Sequence, residues 1–274
     1  MSDKSLGETP ANDTSEIDMT GSDTLHVQHR DNGVVLIEID RPPANALDLA
    51  TRTRLEAVLD GIETDLTVRA VVLTGRGKSF CAGDDLREAM TRGDDALASL
   101  SQFGRLLDKI EALRVPVIAG VNGACVGGGL ELALCCDVRV ASEKAFFIGA
   151  GVNVGLMASV YRLPRLIGVA QAKAMLLTGL RTQAQTALAY GLVTAVHPHE
   201  SLLNEAMAIA DRIASRAPLS VEATKRMVGQ AFDLDPQEAA AAIGREVAPL
   251  AKSDDHKAGI MAFVSREEPV FNRR

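Results

Sequence analysis

Apolar and polar positions change period several times along this 274-residue chain. Leu25–His29 alternate, Asp31-Asn32-Gly33 is a turn signal, and Val34–Ile39 follows as a second apolar run, so the pattern predicts an opening β-hairpin. Leu47, Leu55, Val58, Leu59 and Ile62 then recur at helical spacing, predicting a helix across 47–66 and, after it, a buried strand over 70–74. The alternation continues with a helix over 97–113, a strand over 116–121, a glycine-rich turn, a helix over 130–136 and a strand over 138–142. Strands and helices in this order predict an α/β core of crossover units with a mainly parallel sheet, spanning 24–200. Beyond it the strand signals stop. Segments 201–216, 219–231, 235–250 and 255–265 carry helical periodicity, which makes 201–274 a helical C-terminal region.

Residues 1–23 follow neither period. They hold six acids (Asp3, Glu8, Asp13, Glu16, Asp18, Asp23) against Lys4 and few large apolar residues, so they read as a flexible acidic tail. The basic start and apolar run of a signal peptide are missing. That segment carries five of the seven net negative charges. An acidic chain with 3% aromatic residues and no Trp lacks both the charge and the stacking rings that nucleic acid would need. No apolar run reaches the roughly 18 residues of a membrane span, so no membrane partner is expected. Cys81, Cys125, Cys135 and Cys136 sit in apolar segments without CxxC spacing. They read as reduced, buried thiols rather than a disulfide framework or metal site, and imply a cytoplasmic protein.

Three segments invite chemical readings. Gly75-Arg76-Gly77-Lys78-Ser79 ends like a phosphate-binding loop, but Val72 stands where that loop needs a further glycine, so a polar turn is expected. The run 122–129 ends in Gly127-Gly128-Gly129 at a predicted helix start, without the register of a dinucleotide site. Such a start favours negative charge, though close packing of a tight turn is an equal reading. Glu131 lies three residues after Gly128 in the otherwise apolar run Leu130–Cys136. A buried carboxylate there either meets a cation or serves as an acid or base. The five histidines form no catalytic pattern and read as solvated surface, and neither GxSxG nor HExxH occurs.

Several motifs, in order along the chain, are similar to those of one known family. They are Arg41-Pro42-Pro43-Ala44-Asn45-Ala46-Leu47, Phe80-Cys81-Ala82-Gly83-Asp84-Asp85-Leu86, the run from Val121 to Ala133, Asn153-Val154-Gly155-Leu156, and Leu177-Thr178-Gly179, with an ending of Gly259–Val264, Pro269 and Phe271. On these residues the chain resembles the enoyl-CoA hydratase/isomerase, or crotonase, family. The resemblance implies a spiral of ββα units and C-terminal helices that build a homotrimer or hexamer. It implies an acyl-CoA thioester as ligand, with coenzyme A part of the substrate and no separate cofactor. By matching positions, the backbone N–H groups of Ala82 and Gly128 would form an oxyanion hole for the thioester oxygen. Glu131 matches the glutamate that activates water.

The family's second glutamate is replaced by Gly151. Three readings follow: another acid such as Asp84 reaches the site, water occupies the vacated space, or the reaction needs one carboxylate. Asp84 also reads as a solvated loop residue or a helix cap. The first expectation is an enoyl-CoA hydratase-like lyase, in which a glutamate restored at Gly151 would speed hydration. The alternatives are an acyl-CoA decarboxylase or other enolate-forming enzyme of this fold, or a non-catalytic acyl-CoA-binding protein.

Overall fold

The computed structural model describes residues 24–274; the segment 1–23, expected to be a flexible tail, lies outside them. The strands among the described residues are β1 (Leu25–His29), β2 (Val34–Ile39), β3 (Ala46–Leu47), β4 (Ala70–Gly75), β5 (Ser79–Cys81), β6 (Gly83–Asp84), β7 (Val117–Val121), β8 (Ala124–Val126), β9 (Val138–Ser142), β10 (Phe146–Ile148), β11 (Thr182–Gln183) and β12 (Ala195–His197). The helices are α1 (Leu49–Thr64), α2 (Leu86–Ala89), α3 (Ala96–Ala112), α4 (Gly128–Leu134), α5 (Arg162–Ile167), α6 (Val169–Thr178), α7 (Ala184–Ala189), α8 (Leu202–Ala214), α9 (Pro218–Gly229), α10 (Pro236–Leu250) and α11 (Asp254–Ser265).

The main sheet has the order β1-β2-β4-β7-β9-β12. The predicted hairpin pairs Leu25 with Ile39 antiparallel, and every later pairing in this sheet is parallel. Its two faces follow from the two-residue period of strands. Val35, Ile37, Val71 and Leu73 join the core that holds Leu55, Leu59 and Ile62 of α1 and Leu106 and Ile110 of α3. Their neighbours Val34, Leu36, Ala70 and Val72 face Leu202, Ala206, Met207 and Ala210 of α8. Parallel strands covered on both faces read as continuous apolar runs, as β4 does with all six residues buried. Truncating Ile118, fully buried at the centre of the α8 face, would cost about 2–5 kcal/mol.

A second sheet, β11-β10-β8-β5, lies across the turns that follow the main strands, with β8 parallel to both neighbours. The glycine-lysine-serine segment is the polar turn from β4 to β5. Asn45 ties it down, donating from Nδ2 to the Arg76 and Ser79 carbonyls at 3.0 and 2.7 Å while its Oδ1 accepts from the Arg41 N–H at 2.9 Å. This buried amide explains the asparagine of the 41–47 motif without any chemical role.

Helix α1 begins two residues later than periodicity predicts, because Asp48 caps it by accepting from the Thr51 N–H at 2.8 Å. Helix α4 begins two residues earlier than predicted, on Gly128 itself. The short strands β3, β5, β6, β8 and β10–β12 and the helices α5–α7 gave no periodic signal. Among the helices after residue 200, α10 opens with a reciprocal cap between Asp235 and Glu238. The chain end folds back: Glu222 pairs with Arg114 and Arg273, and Asp255 accepts from the Asn272 and Arg273 N–H groups at 2.7 and 3.0 Å.

Candidate active site

Strand β6 and the start of α4 meet backbone to backbone. Gly83 has φ +88°, and a Cβ built there would sit 2.5 Å from the Gly128 nitrogen, so only glycine permits the approach. On its other side Gly128 packs against the Phe103 ring, where a Cβ would lie 2.7 Å from the nearest ring carbon. The expected glycine packing is therefore present, and it sets the spacing of two backbone segments that line one cavity of about 470 Å³. Ala82, Asp84, Gly128, Glu131 and Gly151 all line it, so the structure brings every predicted site residue together. Leu86, Leu100, Phe103, Leu107, Val154, Leu156 and Met157 complete a mainly apolar wall. A wider open groove of about 1070 Å³ shares Ala82, Asp84 and Leu86 with the cavity and runs along the 41–50 segment.

The expected donor at Ala82 is corrected by the hydrogen bonding. The Ala82 N–H donates to the Ala44 carbonyl at 3.0 Å, and the Asp85 N–H to the Leu47 carbonyl at 3.3 Å. The Gly83 N–H faces Cys81 Sγ at 3.3 Å. In the run 82–85, Asp84 lines the cavity and sits beside Leu47 in the β3–β6 pairing, which makes its N–H the next candidate to weigh. Opposite it, Gly128 is the first residue of α4, where N–H groups have no partner within the helix.

Asp84 is neither a solvated loop residue nor a cap. Its carboxylate receives both terminal nitrogens of Arg92, at 2.5 and 2.8 Å, and lies 3.6 Å from the buried Arg52. The Asp84 bonds, with those of Glu88, raise the Arg92 pKa above its ordinary value despite burial. The cap of α2 is the next residue, Asp85, which accepts from the Arg87 N–H at 2.9 Å. A carboxylate so paired is no free acid for the cavity.

Glu131 has 12% of its side chain exposed. One oxygen accepts from the backbone N–H of Ser159, a residue with φ +59°. The other lies 3.8 Å from Arg162, whose short contacts go instead to Asp108 and Glu111 at 2.7 Å. The carboxylate is thus oriented and only loosely countered. Gly151 leaves no vacated space. A Cβ there would lie 2.9 Å from both the Ala158 nitrogen and the Leu156 oxygen, because the 156–158 backbone folds over it.

None of the five histidines lines the cavity. His26 and His199 are not purely solvated: they pair with Asp40 at 2.9 Å and with Ser142 at 3.1 Å. All four cysteines are free and buried, and burial pushes the Cys81 and Cys136 thiols up to about 12. Sequence reasoning missed Arg52, Arg92, Phe103 and Ser159. Arg52 alone left a signal, three residues before Leu55 on the apolar face of α1.

The family model for enoyl-CoA hydratase/isomerase matches residues 29–274. The chain is 34% identical over 249 residues to the short-chain-enoyl-CoA hydratase of Clostridium acetobutylicum, covering 88% of this chain and 95% of that protein. It is 37% identical over 245 residues to the (E)-benzylidenesuccinyl-CoA hydratase of Thauera aromatica, with 88% and 96% covered. The crystal structure of an enoyl-CoA hydratase from Bacillus anthracis superposes with a TM-score of 0.89 at 33% identity, over 92% of this chain and all of that one. The crossover sheet, the glycine-built cavity and these matches together place the chain in the enoyl-CoA hydratase/isomerase family.

Proposed function

We propose that the chain hydrates an enoyl-CoA thioester, with the N–H groups of Asp84 and Gly128 receiving the thioester oxygen and Glu131 as its one acid–base group. The observation that carries this reading is the shared cavity: one oriented carboxylate beside two backbone segments brought into contact at Gly83 and Gly128. Both donors suit developing negative charge, one of them at a helix N-terminus. The open groove along 41–50 suits the coenzyme A portion, and the cavity the acyl group.

One carboxylate balances the reaction. Glu131 takes a proton from water as its oxygen bonds to the β-carbon, the thioester becomes an enolate, and the protonated Glu131 returns that proton to the α-carbon. The acyl group is uncharged at its far end, because Arg92, the one cation in the lining among the described residues, is held by Asp84 and Glu88. Loss of absorbance from the conjugated thioester when crotonyl-CoA is added tests the reading.

The covered Gly151 favours a second one-carboxylate reaction, decarboxylation of a malonyl-type thioester through the same enolate. Carbon dioxide release without hydration would replace the first reading. Binding without either product would make the chain an acyl-CoA-binding protein. The exposed Val228, Phe232, Phe263 and Val264 of the C-terminal region supply an apolar surface on which we expect copies to assemble into trimers. Light scattering that gives a monomer at micromolar concentration contradicts this. The unpaired thiols fit a reducing, cytoplasmic setting.

A further inference from the structure

A carboxylate on the residue that donates to an oxyanion is an electrostatic liability. Asp84 carries one, and negative charge within a few ångströms opposes a developing enolate in a site of low dielectric. The structure answers with two arginines from different elements. Arg92, 9% exposed, grips Asp84 through both terminal nitrogens and adds a bond to Glu88 at 2.9 Å. Arg52, 1% exposed on α1, lies 3.6 Å from Asp84 and 3.9 Å from Glu88.

Arg52 has further ties. It donates to Ser99 at 3.2 and 3.4 Å, and its guanidinium stands 5.8 Å from the centroid of Phe103, the ring packed on Gly128. One buried cation therefore touches the supports of both backbone donors. The four charges cancel, and a buried pair stands only if both partners stay. Arg52 is the one charged residue among the buried positions of α1, which are otherwise Thr51, Leu55, Leu59 and Ile62.

We propose that Arg52 and Arg92 are positioning residues for the oxyanion hole: they neutralise the Asp84 carboxylate, turn it from the thioester oxygen, and so fix the Asp84 N–H toward it. This inference rests on the oxyanion-hole reading above, and its test separates the two.

The experiment is a double-mutant cycle. Arg92→Met and, separately, Arg52→Met are made in the full chain with Asp84 and with Asp84→Ala, and folding is followed by melting. The spectroscopic readout is the carbonyl stretch of bound, carbonyl-labelled butyryl-CoA, which needs binding but no turnover. Activity is read as kcat and KM on crotonyl-CoA.

Arg92→Met should lower kcat by roughly 10- to 100-fold with KM moved by less than about 3-fold, and should weaken the shift of the carbonyl stretch. Arg52→Met should do the same to a smaller degree. Adding Asp84→Ala to either should recover most of the loss, since the charge that needs neutralising is gone. A merely structural arginine would not be rescued by deleting its partner.

Wild-type protein that binds butyryl-CoA with no carbonyl shift sinks the oxyanion hole and this inference with it. A normal wild-type shift that persists in whichever arginine variant folds overturns the inference alone. So does a double variant no better than its single, or two single variants that both fail to fold, which would make the cluster structural.

Discussion

The cavity has two walls, and glycine does opposite things in them. On the β6–α4 wall, Gly83 and Gly128 let two backbones touch, which brings N–H groups and Glu131 to the cavity surface. On the facing wall, Gly151 lets the 156–158 backbone close over it, which removes the place where a side chain would stand. The steric device is the same, an approach that no Cβ survives. Its consequence depends on what the approaching backbone presents: unpaired donors at a helix start in one case, a loop that fills space in the other. A missing acid in this chain is therefore a rebuilt wall and not an empty slot.

The comparison breaks most sharply at Glu131. If that wall carries the chemistry, Glu131→Gln should reduce kcat on crotonyl-CoA by roughly 10²–10⁴ with thioester affinity almost unchanged. The Ser159 N–H bond can persist to an amide oxygen, so the melting temperature should stay close to the parent's. Unchanged turnover removes Glu131 from the mechanism, and loss of folding marks it as structural.

Gly83→Ala comes next. The added Cβ would press on the Gly128 nitrogen at 2.5 Å and demand φ +88° from an alanine, so the two backbone segments, and the donors proposed on them, must part. Displacing one donor should cost about 10²–10³-fold in kcat. Stopped-flow turnover beside circular dichroism reads this, and a folded variant of parental activity would show that the Gly83–Gly128 contact does not set the donor spacing.

These two residues also mark how far the sequence could be read. Glu131 was legible as a candidate because a carboxylate in an apolar run, one turn from three glycines, must either meet a cation or face a site, and it lines the cavity. The sheet was legible because strands covered on both faces are unbroken apolar runs. Ala82 was misjudged as a free donor because its N–H goes to the Ala44 carbonyl, a partner that the turn at Gly83 helps to set and no motif announces. Glycine permits that turn, but its presence does not announce it. Asp84 was misjudged for a different reason: its partners Arg52 and Arg92 come from α1 and from beyond α2, and pairing across the fold leaves no period. The collapse over Gly151 is likewise a contact with residues five to seven positions later, in a segment without helical or strand rhythm.

On the second wall, Gly151→Glu should not raise hydration, contrary to the expectation from motif matching alone. The glutamate would displace the backbone of 156–158, an overpacking that costs about 1–3 kcal/mol, or roughly 2–10 °C in melting temperature for a chain of this size. Gly151→Ala isolates the Cβ and should lose part of that stability. A faster, equally stable Gly151→Glu variant would mean that the loop yields easily and that the wall is open in solution.

The smallest effect sharpens the same contrast through the thiols. Cys81 and Cys125 stand behind the β6–α4 wall, Cys81 Sγ against the Gly83 N–H and Cys125 Sγ against the Gly129 carbonyl, both at 3.3 Å. Burial raises the Cys81 thiol from about 9 to about 12 and Cys125 well above its ordinary value, so the native state keeps protons that the unfolded chain gives up. The folded pKa being the higher one, this contribution is complete below about pH 9 and is lost as pH climbs toward 12, with stability falling as the unfolded state binds fewer protons. At pH 8 a thiol reagent should leave Cys81 and Cys125 untouched in the native protein and label them on unfolding. Saturating acyl-CoA should slow any residual labelling, because ligand held by the donors stabilises the wall these thiols support. Rapid labelling of Cys81 in the folded, ligand-bound protein would show that the β6–α4 wall opens on its own, and the two walls would then differ in chemistry but not in rigidity.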